Sequence, residues 1–164
     1  MQDGDHEFWT RQCNTMLGDW LKTATPVKDV CAYVQSVYVE KDLSHFNGDE
    51  KYVRNEESCK AFSKLRSSIA GLYVWRLDSK QDSSDKARLR AEADFAFRQS
   101  FALCPYSPEA IYRYCNLLVS QGRTDDAILI VRTARKVTPD QKQVDDLLEH
   151  LLNMRQPKAG AGAF

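Results

Sequence analysis

No charge of either sign is in excess in this chain of 164 residues, where 23 Lys and Arg stand against 23 Asp and Glu. A global field that would draw the protein onto nucleic acid or an anionic membrane is therefore missing, and any partner has to be recognised locally. Between Ala91 and Arg155, eight basic residues meet nine acidic ones without forming a Lys/Arg stripe. Phosphate binding would lack the concentrated positive charge that drives it, so no nucleic-acid partner is expected. Long apolar runs are missing too. Nothing approaches the roughly 18 to 20 apolar residues of a bilayer span, so the chain is expected to be soluble, without direct membrane insertion. The five cysteines, Cys13, Cys31, Cys59, Cys104 and Cys115, include no CxxC pair and follow no signal-like apolar run, which reads as reduced, buried thiols in a cytoplasmic protein. Clustered Cys and His ligands are also lacking, so neither a metal nor a cofactor is expected. Catalysis would have to use His6, His45 or His150. A nucleophile and base formed by His45 with Cys31 or Cys59 is the alternative reading, that of a small helical enzyme, but no oxyanion-type glycine motif accompanies it and no catalytic residue is expected.

What the chain does contain is helical periodicity, with 43% hydrophobic residues, enough to fill the core of one domain. Phe8, Trp9, Cys13, Met16, Leu17, Trp20 and Leu21 recur at spacings of three and four, following a polar opening expected to fray. Thr25-Pro26 reads as N-cap and first helical residue of a second helix carrying Val27, Val30, Cys31, Val34, Val37 and Tyr38. Its Val and Tyr content also suits a strand, but the run to Val39 is long for one and shows no hairpin partner. Residues 42–55, with Asn47-Gly48, read as a loop. From Glu56 the longest periodic run follows, through Cys59, Phe62, Leu65, Ile69, Leu72, Tyr73 and Leu77. The polar residues 79–86 break it, and a helix from Ala87 ends at Cys104-Pro105.

Ser107-Pro108 opens the next helix and Gly122 supplies its left-handed stop. Thr124, followed by Asp125 and Asp126, is expected to cap a helix to about Lys136. Thr138 and Gln141 have capping-box spacing for a last helix with Val144, Leu147, Leu148, Leu151 and Leu152. The tail beyond residue 154 is expected to be disordered.

Four residue pairs recur after the same interval: Ala93 and Ala127, Phe97 and Val131, Ser100 and Ala134, Pro105 and Pro139, each 34 apart. Residues 108–141 resemble a tetratricopeptide repeat, whose period is about 34 residues. Ala110 and Ile111 open its helix A, and Ala127, Ala134 and Pro139 hold the small and proline sites. Cys115 replaces the usual glycine and Tyr114 a common leucine; both Cys104 and Cys115 read as packing residues. The preceding unit fits if Gly71 takes the small site and residues 79–86 are an insertion. The expected fold is all-α: a short tetratricopeptide-like stack over residues 56–154, ended by a capping helix, with an N-terminal helical region, residues 1–55, packed on it, and a tail over 155–164.

This resemblance implies a protein-interaction or assembly module that binds a partner protein or peptide along the face formed by the A helices. The partner-contacting residues are expected to be Trp75, Arg76, Tyr112, Arg113 and Asn116, with Ser68 and Glu109 beside them, since aromatic and Arg side chains are what interface hot spots use. Trp75 and Tyr112 have an alternative reading, packed beneath the insertion or the N-terminal helices. The basic clamp that some such domains use on a partner's terminal carboxylate is not matched, its places being held by Ser68, Leu72, Arg113, Gln143 and Leu147. Residues Lys60 to Arg76 and Phe97 to Ala110 also resemble the soluble C-terminal region of bacterial multi-pass membrane proteins related to protein O-mannosyltransferases. That likeness implies an accessory domain, tethered to a membrane through a larger parent chain, and carries over no catalytic residue.

Overall fold

Helices account for every regular element in the computed structural model, which describes residues 2–156. In chain order they are α1 (Gln2–Leu17), α2 (Val27–Val34) running into a π turn (Gln35–Val39), α3 (Glu50–Arg54), α4 (Glu56–Leu77), α5 (Ser83–Leu103), α6 (Pro108–Ser120), α7 (Thr124–Val137) and α8 (Lys142–Arg155). The tail expected to be disordered falls largely on residues 157–164, outside the described residues.

Short side-chain acceptors start several of these helices. Asp49 accepts from Lys51 N at 2.9 Å, Asn55 from Ser58 N at 3.0 Å and Asp82 from Ser84 N at 2.8 Å, each satisfying an amide that the first turn leaves without a partner. Ser107 does the same for Ala110, with Pro108 in the first helical position as expected. The three threonines expected to cap do not. Thr25 Oγ1 accepts from Lys22 N at 2.8 Å and closes a turn before Pro26, and Thr138 Oγ1 donates back to Ala134 O at 3.3 Å. Thr124 is itself the first helical residue, with Arg123 in the cap position. In the first two cases a backbone partner within hydroxyl reach competes with capping.

Two boundaries also differ from expectation. The polar opening is helical from Gln2 because tertiary contacts hold it: Asp5 accepts from Arg66 Nη1 at 2.9 Å and from Tyr73 Oη, and His6 Nδ1 lies 3.1 Å from Glu92. α1 then stops at Leu17, before Trp20 and Leu21. Gly18 follows with φ 94°, and a Cβ there would come within 2.1 Å of Asn47 Oδ1, so conformation and space both require glycine. Within the expected loop 42–55 lies α3, five residues long and too short to show a period.

α4 and α5 form an antiparallel hairpin whose crossing is made close by serine: Ser63 Oγ donates to Ser100 O at 2.8 Å and Ser100 Oγ to Ser63 O at 2.9 Å. The insertion expected at 79–86 is absorbed into helix length. α4 and α5 run for 22 and 21 residues against 13 and 14 in α6 and α7, and only residues 78–82 remain between them. α4, α6 and α8 make one layer and α5 and α7 the other, with α2 packed against both α5 and α7 and α1 against α5. α5 is thus enclosed, with every residue from Ala93 to Leu103 buried.

Its buried polar side chains are bonded except at Gln99 Nε2, which has no partner among the described residues. Arg98 Nη1 donates to Thr23 O at 2.9 Å and Thr25 O at 2.6 Å, its Nη2 meets Asp94, and Asp94 also accepts from Tyr114 Oη at 3.1 Å and Arg123 Nη1 at 2.9 Å. Arg98→Met should cost about 3 kcal/mol in urea denaturation, because it strands two carbonyls and half of Asp94's pairing inside the fold. Arg123→Met, on a more exposed partner of the same carboxylate, should cost under about 1 kcal/mol.

Candidate functional site

α4, α6 and α8 share the layer opposite α5 and α7, and this layer carries most of the large apolar side chains left in solvent. Leu65, Leu72 and Trp75 on α4 are 58%, 56% and 70% exposed, and Tyr112 on α6 is 56% exposed. Positions 65, 72 and 75 fall on one stripe of a 3.6-residue helix. Three residues of that size on one helix are a contiguous surface feature rather than scattered exposure.

Leu65 and Leu72 belong to the periodic run that sequence analysis reads as the buried pattern of α4. The buried face instead comprises Cys59, Ser63, Arg66, Ser67, Ala70 and Tyr73. Arg66 is fully buried because its charge is met on the inside, by Asp5 and by Gln99 Oε1 at 2.8 Å, with its guanidinium 5.3 Å from the Trp9 ring. Apolar residues nearly all around α4 were the available signal that a second face exists.

The five expected contact residues are distributed along this layer. Trp75 and Arg76 line a cleft of about 470 Å³ with Asp3 of α1 and Arg88 of α5. Tyr112 lines a second cleft, of about 490 Å³, floored by Ile111, Val144 and Leu147 and edged by His150. Arg113 lines neither cleft: it pairs with Glu109 at 2.9 Å, and a Cβ on Gly71 would stand 3.4 Å from its Nη1. Asn116 is exposed one turn further along α6. The structure therefore places Trp75 and Arg76 in one cleft and Tyr112 in another, with Arg113 and Asn116 exposed on α6 and lining neither. Trp75 and Tyr112 are not packed beneath the N-terminal helices. Leu147 and His150, which sequence reasoning did not assign to a site, join Tyr112 because α8 lies beside α6.

The Cys/His pairing of the alternative reading does not form. His45 is exposed, whereas Cys59 is buried, donates to Tyr52 O at 3.3 Å and faces Tyr38 Oη at 3.8 Å. Burial pushes the Cys31 thiol up to about 11, the direction opposite to that of an activated nucleophile. No group of three or more His, Cys, Asp or Glu side chains among the described residues is arranged to hold a metal. No helix among them is long and apolar enough to cross a membrane.

A two-layer stack of antiparallel helix pairs, with small residues where helices approach, is the arrangement that the repeat spacing implied. Residues 87–151 match the tetratricopeptide repeat family model. The matched segment takes in α5, the α6/α7 pair and most of α8, so the stack is tetratricopeptide-like. α4 precedes the matched segment and packs on α5 and α6. No curated protein and no solved structure matches the chain.

All five cysteines are free and buried. Burial raises Cys13, Cys104 and Cys115 from 9.0 to about 12. A thiol whose folded pKa exceeds its unfolded one stabilises the fold fully below the unfolded value and loses that contribution as pH climbs toward the folded value. Stability measured in urea should accordingly fall from pH 9 to 10, by roughly 1 kcal/mol per such thiol. A charged disulfide reagent at pH 8 should modify the thiols slowly in the native protein and rapidly in guanidinium chloride.

Proposed function

We propose that this chain is a protein-interaction or assembly module that takes a partner peptide or protein across the α4/α6/α8 layer. The observation that carries this reading is the exposure of Leu65, Leu72, Trp75 and Tyr112 on that one layer of a tetratricopeptide-like stack. Large aromatics give rigid apolar area, each worth a few kcal/mol when a partner removes it from water. The partner contacts are assigned to Trp75, Arg76, Tyr112, Arg113 and Asn116. Beside Tyr112, Arg113 can exchange its exposed pairing with Glu109 for a partner carboxylate at small cost, because exposed ion pairs contribute little. Recognition in this reading runs through side chains in the clefts, since the positions of a terminal-carboxylate clamp hold Ser68, Leu72, Gln143 and Leu147 beside Arg113.

The likeness of Lys60 to Arg76 and Phe97 to Ala110 to the soluble end of bacterial multi-pass membrane proteins supports placing this module as the accessory domain of a larger chain. The native gene's coding sequence tests that context: apolar helices encoded in frame upstream support it, and an in-frame stop shortly before Met1 overturns it.

Quantitative affinity capture with Trp75→Ala, Tyr112→Ala and the double variant tests the interaction surface itself. Being exposed, these substitutions should leave unfolding free energy within about 0.5 kcal/mol of the parent. Captured partners should be depleted about tenfold or more by each, as for hot-spot truncations. Unchanged capture by a folded double variant would remove this layer as the binding surface.

A further inference from the structure

Away from the α4/α6/α8 layer, two backbone irregularities meet at one cleft. The first is the π turn, closed by Glu40 N donating to Gln35 O at 2.9 Å; widened turns of this kind are kept in helices mostly at functional positions. The second is Lys41, the one non-glycine residue with positive φ among the described residues, at 58°. A left-handed lysine costs about 1–2 kcal/mol that glycine would avoid. The conformation is fixed from the next residue onward: Asp42 N donates to Ser36 O at 2.9 Å, and Asp42 Oδ1 accepts from Ser44 N at 3.0 Å. Outliers held by their surroundings are where strain is kept for a function.

The cleft these segments border measures about 490 Å³, within the size range of small-molecule sites. Its chemistry is two-part. Tyr38 and Tyr106 present ring surface, with centroids 6.2 Å apart, and valines 37, 53 and 137 add aliphatic wall. Three charged side chains edge it: Lys41, Arg54 and Glu56. Glu56 is already bonded to Lys60, and Arg54 is shared with Glu50 at 3.6 Å. Lys41 makes no ion pair with any described residue. Of the three charged side chains on the lining, the one without an ion pair is therefore the Lys41 cation, beside an aromatic and aliphatic interior and flanked in sequence by the exposed Glu40 and Asp42.

We infer that this cleft binds a small amphipathic carboxylate, an organic acid whose apolar or aromatic body rests against Tyr38 and Tyr106 while its carboxylate meets Lys41. A bare inorganic anion would leave the aromatic interior unused. A neutral hydrophobe would leave the lysine without a partner. This cleft is independent of the interaction surface proposed above, because none of its lining residues is among the partner contacts assigned there, and it meets α4 only at Glu56, the helix's first residue.

Titration of the full chain with 4-phenylbutyrate, followed by amide NMR shifts and calorimetry, tests this. Saturable binding is expected, with the largest shifts between residues 37 and 43 and around Val53. The neutral amide of the same acid should bind at least about fivefold more weakly. Lys41→Gly should unfold at the same temperature or higher, since glycine takes φ near 58° without strain. It should also lose about tenfold or more in affinity. Lys41→Asn, likewise tolerant of that conformation, should behave the same way. Carboxylate binding at this cleft is overturned by an absence of saturable binding at about 10 mM acid, by shifts centred instead on Tyr112 and His150, by equal binding of acid and amide, or by unchanged affinity in both Lys41 variants.

Discussion

Enclosure of the second half of α5, from Ala93 to Leu103, is the constraint around which this fold is arranged. A helix buried all round is ordinarily apolar all round, yet between Ala93 and Leu103 this one carries Asp94, Arg98, Gln99 and Ser100, each buried. Together they bond three neighbours: Asp94 meets α6 through Tyr114, Arg98 holds the segment entering α2, and Gln99 and Ser100 both hold α4, through Arg66 and Ser63. Sliding any of these neighbours by a turn would strand a buried donor or acceptor at about 1–3 kcal/mol each. Phenylalanines 95, 97 and 101 supply the apolar burial in the same stretch, and alanines 93, 96 and 102 the close approach. Apolar contact thus drives the collapse, and polar contact sets the position of each partner.

That enclosure explains why a short stack is sufficient. About three stacked units are normally needed before terminal repeats have enough neighbours. Here α2 and its π turn lie against α5 and α7, while α1 packs on α5 and sends Asp5 into the α4 contact with Arg66. The N-terminal region covers the second-layer helices that a longer solenoid would leave to solvent. On the other layer the N-terminal region reaches only part of α4, through α3 and Asp5, and Leu65, Leu72, Trp75 and Tyr112 remain outside.

Local chemistry was legible in the sequence, and long-range charge pairing was not. α6 could be read to within a residue because Ser107, Pro108 and Gly122 act on their own turns. The alanines and prolines at the 34-residue period marked the helix approaches for the same reason. The rotation of α4 was hidden, since putting Arg66 inside and Leu65 outside depends on a carboxylate 61 residues earlier. The order in the polar opening was hidden by the same pairing seen from its other end. Repeat register put Trp75 and Tyr112 on the A-helix face, where they are exposed, but the clefts they line include Asp3 and His150, which only the packing of α1 and α8 brings near. The π turn and the left-handed Lys41 left no sequence signal, since the backbone bonds that hold them, Glu40 to Gln35 and Asp42 to Ser36, use no distinctive side chain.

The small positions finally account for the shape of the exposed layer. At Cys115 the thiol lies 3.8 Å from Ala127 O, so α6 and α7 approach as closely as sulfur permits. Gly71 lets Arg113 cross α4 at a distance that a Cβ would just touch. Arg113 is exposed on α6 beside Tyr112, so Gly71 keeps open the space in which this cation and its partner Glu109 sit. A larger residue at position 71 would have to displace Arg113, changing the surface through a packing position that no partner touches.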